Sequence, residues 1–275
     1  MKVSLNTTSF ILHYTLEKTL ERSADLGFKY VEVCGDRPHG WPEDLDKDER
    51  KHLLDTAKSL GIKVNSVSTG FIYYLQPGFA YWNTRVREEG VRYIRQLIEL
   101  ARDLEATIVT LIPGRVLVNV PFDQAWKWSV EKLRECARFA RDRDVILGLE
   151  NLVNANEFTN TSDRILRMIK EVDDENVGAT IDLGHINVVR EPIRDFIHKV
   201  GNLIVNVHVH DNDGTGDAHL QPGKGNVDFT TAVTALKEVG YARCLTLEVA
   251  AGWHWDSIES ERVVKESRKF VEDLL

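Results

Sequence analysis

A chain of 275 residues with 43% hydrophobic and 28% charged residues has the size and composition of one large globular domain with a sizeable core. Its formal net charge of −8 disfavours a nucleic-acid partner, whose phosphates call for a basic stripe. No apolar run approaches the roughly 18 residues of a membrane span, no signal-like apolar region opens the chain, and Cys34, Cys136 and Cys244 lack metal or disulfide-framework spacing, so a cytoplasmic protein with reduced thiols is expected.

The predicted elements alternate strictly. Lys2–Asn6 reads as a strand, followed by a helix from about Thr15 to Leu26 that stops at Gly27. A second strand, Tyr30–Cys34, leads to a helix over Asp46–Leu60, again ended by a glycine, Gly61. The third strand is Lys63–Val67. The helix after it, Thr84–Leu104, carries Val91, Ile94, Leu97, Ile98 and Ala101 at helical spacing. Thr107–Ile112 is the fourth strand, closed by Pro113 and Gly114, and Asp123 is the expected N-cap of a helix running to Arg143. Strand Val145–Glu150 precedes a helix over Ser162–Val172 with Ser162 as its expected cap, and strand Val177–Asp182 precedes a helix over Pro192–Val200. The last two pairs are Leu203–His210 with Phe229–Val239, and Arg243–Val249 with Ile258–Leu274.

Eight strand–helix units with no linker and apolar, helix-covered strands predict an α/β fold, a single (β/α)8 TIM barrel forming one domain over residues 1–275. The competing doubly wound sheet wants a glycine-rich loop after the first strand, and Asn6-Thr7-Thr8-Ser9-Phe10 is not one.

In such a barrel the strand ends meet at one face, where catalysis takes place. There the last four strands end in Glu150, Asp182, His210 and Glu248, a set suited to one divalent cation. Carboxylate-rich ligation with one imidazole admits Mn²⁺, Mg²⁺, Co²⁺ or Zn²⁺. Glu150 and Glu248 would flank a substrate, one removing a proton beside a metal-bound carbonyl and the other returning one to the opposite face. His208 shares a strand face with His210 and is expected one layer deeper; a register slip would exchange the two. His185 is expected to contact a substrate oxygen. Asp217 and His219 are expected to bind substrate or a second metal, and Glu32 to orient a substrate hydroxyl. Trp253 belongs to an aromatic-rich rim, with Phe71, Tyr73, Tyr74, Phe79, Tyr81, Trp82 and Trp255, suited to stacking on a sugar ring. Gly223-Lys224-Gly225 either approaches an anion or makes a turn.

The pieces Leu149-Glu150-Asn151, Asp182-Leu183-Gly184-His185, His208-Val209-His210-Asp211, Asp217-Ala218-His219, Pro222-Gly223-Lys224-Gly225 and Leu247-Glu248 resemble, in order, those of the xylose isomerase-like TIM-barrel superfamily of sugar phosphate isomerases/epimerases and family 2 AP endonucleases. The resemblance to its ketose 3-epimerase branch implies Mn²⁺ or a similar ion on Glu150, Asp182, His210 and Glu248, the two glutamates as acid/base pair, and His185 against substrate. Gly216 falls near the place of that branch's arginine. The resemblance thus implies a metal-dependent isomerase or epimerase of a sugar, sugar phosphate or related polyol in carbohydrate metabolism. Three alternatives stand beside it: an endonuclease IV-like phosphodiesterase, a keto-inositol dehydratase and a non-catalytic sugar-binding barrel. The endonuclease IV pattern wants a histidine before Pro113-Gly114, where Ile112 stands. Barrels of this kind often pair, so a homo-oligomer stays open.

Overall fold

The computed structural model describes residues 1–70, 78–117, 119–249 and 256–275. The strands are β1 (Lys2–Asn6), β2 (Tyr30–Cys34), β3 (Lys63–Ser68), β4 (Ile108–Leu111), β5 (Ile146–Glu150), β6 (Val177–Asp182), β7 (Ile204–Val209) and β8 (Cys244–Leu247). They pair in that order, all parallel, and β8 returns to β1 through Lys2↔Cys244 to Leu5↔Leu247, which closes the barrel. Around it run α1 (Leu16–Asp25), α2 (Lys47–Ser59), α3 (Thr84–Asp103), α4 (Phe122–Arg141), α5 (Ser162–Val172), α6 (Leu183–Val189), α7 (Ile193–Val200), α8 (Phe229–Glu238) and α9 (Ser257–Glu272). No described helix is long and apolar enough to cross a membrane.

Local chemistry sets the helix ends. Thr15 caps α1, Asn83 caps α3 and Asp256 caps α9, while Asp46 and Glu49 form a reciprocal capping box at α2. Two caps differ from expectation. Pro121 precedes α4, with Asp123 inside its first turn, and Thr161 rather than Ser162 caps α5 through its bond from Arg164 N. The chain turns helical two residues earlier than the side-chain signal suggests in α4 and one residue earlier in α5. The short helix α6 is an addition: Asp182 ends β6 and its Oδ1 accepts His185 N at 2.8 Å, turning strand into helix with no loop between.

Side chains alternate along each strand, and the two sets differ in chemistry. Leu5, Val31, Val67, Val109, Leu147, Ile181, Val207 and Leu247 are fully buried in the apolar core. The alternate residues fill the bore with hydrogen bonds. Asn206 Nδ2 reaches Glu32 at 2.7 Å and Thr110 at 3.2 Å, and Thr110 meets Thr180 at 2.9 Å. A buried polar network of this kind holds only when its members are satisfied. Glu32 meets that condition, accepting from Asn6 (2.8 Å), Ser66 (2.6 Å) and Asn206.

Candidate metal centre

The inward-facing residues at the ends of β5, β6, β7 and β8 converge on one point. Glu150, Asp182, His208 and Glu248 bring one ligand atom each within 4.8 Å of one another, and His185, His210, Asp217 and His219 do the same beside them. The barrel therefore holds two adjoining groups, the first buried but for a half-buried Glu248 and the second reaching the surface at Asp217, whose donor atoms fit a divalent ion.

His208 and His210 differ in how their nitrogens are committed. His208 Nδ1 hydrogen-bonds Glu150 Oε1 at 2.8 Å and lies 2.9 Å from Glu248 Oε2, while its Nε2 lies 2.8 Å from Glu32 Oε1. His210 Nε2 and Asp182 Oδ2 are buried with no hydrogen-bond partner. His210 Nε2 sits 2.9 Å from Asp182 Oδ1, close but without hydrogen-bond geometry. A buried carboxylate oxygen and a buried imidazole nitrogen, both without a hydrogen-bond partner, are what a cation between them would satisfy. His210 reaches this position because residue 184 is glycine: a Cβ there would lie 2.1 Å from His210 Cε1.

The loop after β7 supplies Asp217 and His219 and is folded on a single carboxylate. Asp211 accepts Gly223 N, Gly225 N and Val227 N at 2.8 to 3.1 Å, and a Cβ at Gly225 would meet Asn212 O at 2.2 Å. Of the two readings of Gly223-Lys224-Gly225, the structure shows the turn, closed by Lys224 N to Gln221 O. Two-way hydrogen bonds between Asp211 and Leu220 carry Asp217 and His219 over the site. His219 takes a left-handed φ of 44°, its Nδ1 lies 2.8 Å from Glu248 O, and its ring stacks on His210 at 3.9 Å. Such a conformation in a non-glycine residue persists only where its surroundings hold it. His185 is fixed by Asn151 O at 2.7 Å and faces Asp217 Oδ2 at 3.2 Å.

Electrostatics separate the two glutamates. Burial pushes the Glu150 carboxyl above its ordinary value, with His208 only partly opposing it. Burial works the same way on Glu248, but His208, with His219 beside it, pulls that carboxyl below its ordinary value. Burial likewise opposes ionisation of Asp182, yet His185 and His210 hold it well below the carboxylate range. His219 is raised to about 9 because Asp217 outweighs the desolvation of its ring.

A pocket opens over this group. Glu150, His185, Asp217, His219 and Glu248 line it, with Ile112, Leu152 and Val153 as apolar wall and Thr8, Cys34 and Thr69 among its polar edge. Glu32 is not part of that lining. Expected to orient a substrate hydroxyl, it lies fully buried beneath the metal group, because it is the third residue of β2 and points into the bore. Trp253 falls outside the described residues, as do Phe71, Tyr73, Tyr74 and Trp255. Sequence reasoning placed His208 only as a deeper residue; its bridge to both glutamates was legible from neither spacing nor composition.

A family model described as xylose isomerase-like TIM barrel matches residues 20–274. An uncharacterized protein of Methanocaldococcus jannaschii is 29% identical, covering 99% of this chain and 91% of that one. The L-ribulose 3-epimerase of Mesorhizobium japonicum is 28% identical over 85% of this chain and 75% of its own. A crystal structure of a D-tagatose 3-epimerase-like protein superposes with a TM-score of 0.84 at 27% identity, covering 99% of each chain. The closed barrel, the His/Asp/Glu cluster at its strand ends that could hold a metal and these likenesses agree, and the chain belongs to the xylose isomerase-like TIM barrel family.

Proposed function

We propose that this barrel is a divalent-metal-dependent isomerase or epimerase of a sugar or related polyol, with Glu150, Asp182, His210 and Glu248 as the ligands. The observation that carries the reading is the pair of orphaned buried donors, Asp182 Oδ2 and His210 Nε2, beside two glutamates whose affinities for a proton are pushed in opposite directions. When bound, the ion supplies Lewis acidity toward a carbonyl oxygen. Glu248, held ionised, removes the proton from the adjacent carbon. Glu150, which burial keeps ready to hold a proton, delivers one to the other face. His185 and the loop residues Asp217 and His219 contact the substrate from the pocket wall. The 3-epimerase names of the L-ribulose and D-tagatose relatives support a ketose as substrate.

The test is solvent exchange. Metal-loaded protein in D₂O is incubated with ketoses, ketose phosphates and keto-inositols. Deuterium at the carbon beside the carbonyl, seen by NMR, establishes the chemistry. No exchange across the set, with metal bound, refutes it. A second reading, metal-dependent phosphodiester cleavage, draws on the second ligand group of His185, His210, Asp217 and His219. Cleavage of a duplex containing an abasic site by the metal-loaded protein would favour it.

A further inference from the structure

The candidate metal ligands occupy one half of the barrel mouth, at the ends of β5 to β8. In a closed ring of eight strands, β3 lies diametrically across from β7. The pocket wall on that far side comes from the segments that end β1 to β4, with Thr8, Cys34, Thr69 and Ile112. A ketose held at the metal by its carbonyl end would extend its remaining carbons toward them.

One hydroxyl on the far side is uncommitted. Thr8 Oγ1 donates to Asn6 Oδ1 at 2.6 Å, whereas Thr69 Oγ1 is buried with no hydrogen-bond partner. The backbone that carries it is held on both flanks: Thr69 N donates to Thr110 O on β4 at 3.0 Å, and Gly35 N, just after β2, donates to Ser68 O at 2.8 Å. A buried hydroxyl left unpaired is costly, and a ligand hydroxyl placed against it removes that cost. We propose that Thr69 is a specificity-determining residue, that its hydroxyl hydrogen-bonds the terminal hydroxyl of the ketose, and that the site takes free ketoses in preference to ketose phosphates. The inference rests on the epimerase reading and deepens it.

The surroundings of Thr69 suit a hydroxyl and oppose a phosphate. A phosphate ester carries about two negative charges and three acceptor oxygens, and is met by arginine, lysine or a set of free amides. Among the described lining residues the carboxylates are Glu150, Asp217 and Glu248, and there is no lysine or arginine. Residues 71–77, 118 and 250–255 contain neither in sequence. His185 and His219 both turn Nε2 to Asp217, at 3.2 and 3.3 Å. In barrels of this class a phosphate commonly sits on the loops after the seventh and eighth strands. Here the amides of the turn after β7 are spent within the chain, since Gly223 N, Gly225 N and Val227 N all donate to Asp211. Ile112, Leu152 and Val153 would strip water from a dianion and give no hydrogen bond in return.

Thr69→Val keeps the side chain's shape and deletes the hydroxyl. That hydroxyl bonds nothing in the protein, so Tm should match or exceed that of wild type. A Tm lower by several degrees would reveal an internal partner and overturn the proposal.

Metal-loaded wild type, Thr69→Val and Thr69→Ser are then compared on D-tagatose, 6-deoxy-D-tagatose and D-tagatose 6-phosphate, and on the matching L-ribulose series. In wild type, kcat/KM should be about tenfold higher for the free sugar than for its terminal deoxy analogue, and lower still for the phosphate. In Thr69→Val the value for the free sugar should fall about tenfold and the preference over the deoxy analogue should vanish, while Thr69→Ser keeps it. Equal losses on free and deoxy sugars, or a phosphate used as well as the free sugar, would overturn the proposal. Calorimetric Kd values for the same ligands separate this inference from the reading beneath it. Discrimination in Kd with no sugar turned over would refute the epimerase reading and uphold the role of Thr69. No binding, or no discrimination in either kcat/KM or Kd, would overturn that role.

Discussion

Gly184→Ala sets two effects of opposite sign against each other. In a helix, alanine is favoured over glycine by about 1 kcal/mol, so a free position in α6 would gain stability. Residue 184 is not free: the new Cβ would stand 2.1 Å from His210 Cε1 and 2.6 Å from Nε2. Ordinary contact begins at 3.4 Å, so the ring must withdraw by about 1.3 Å, the difference from 2.1 Å. Metal–ligand distances tolerate only about 0.2 Å, and overpacking itself costs about 1–3 kcal/mol. The expected outcome is a lower Tm without metal and a loss of about 100-fold in affinity for Zn²⁺ or Mn²⁺, read by competition with a chromophoric chelator. A raised Tm with unchanged metal affinity would refute the reasoning and remove His210 from the ligand set.

Glu248→Gln should abolish turnover, with bound metal by elemental analysis largely retained; full activity would sink the two-glutamate mechanism. Chelation by EDTA should lower Tm, and readdition of metal at 100 times its Kd should restore about 2.7 kcal/mol. Asp211→Ala, which strands three amide donors, should cost about 3 kcal/mol in urea unfolding and weaken binding at Asp217 and His219. His39 is buried and its desolvation lowers its pKa to about 4 from 6.5. The unfolded chain therefore binds the extra proton first, and the stability this group contributes above pH 6.5 is lost as pH falls toward 4. The loss is roughly 3 kcal/mol, and His39→Gln should flatten the urea midpoint between pH 6.5 and 4.5.

The barrel was legible because several helices end at a glycine and most strands read as largely apolar runs. Gly27, Gly61 and Gly240 do stand at left-handed φ after α1, α2 and α8. The convergence of Glu150, Asp182 and Glu248 followed from their places at strand ends. What sequence hid depended on depth and on a single bond. Leu183–Val189 has a glycine and two valines and no helical stripe; the Asp182 cap makes it a helix and swings His185 over the site. Glu32 lies two residues before the end of β2, just past a register shift between Val31 and Glu32, and this puts it a layer below the rim. Spacing placed His208 and His210 on one face. Only the partners of each nitrogen tell them apart: His208 is committed to carboxylates on both sides, while His210 Nε2 has no hydrogen-bond partner.

The segment from Asp211 to Val227 behaves as a detachable handle. Both of its ends close on the carboxylate of Asp211, while Asn212, Asp217 and His219 tie its interior to Gly184, His185 and Glu248. Length and composition at the tip, residues 213 to 216, can therefore vary while the attachment stays put. A chimera that exchanges the whole loop between related barrels would swap Asp217 and His219 and leave the candidate ligands on β5 to β8 in place. In such a scaffold new substrate preferences arise by exchange of a pre-folded part, with no repacking of the bore.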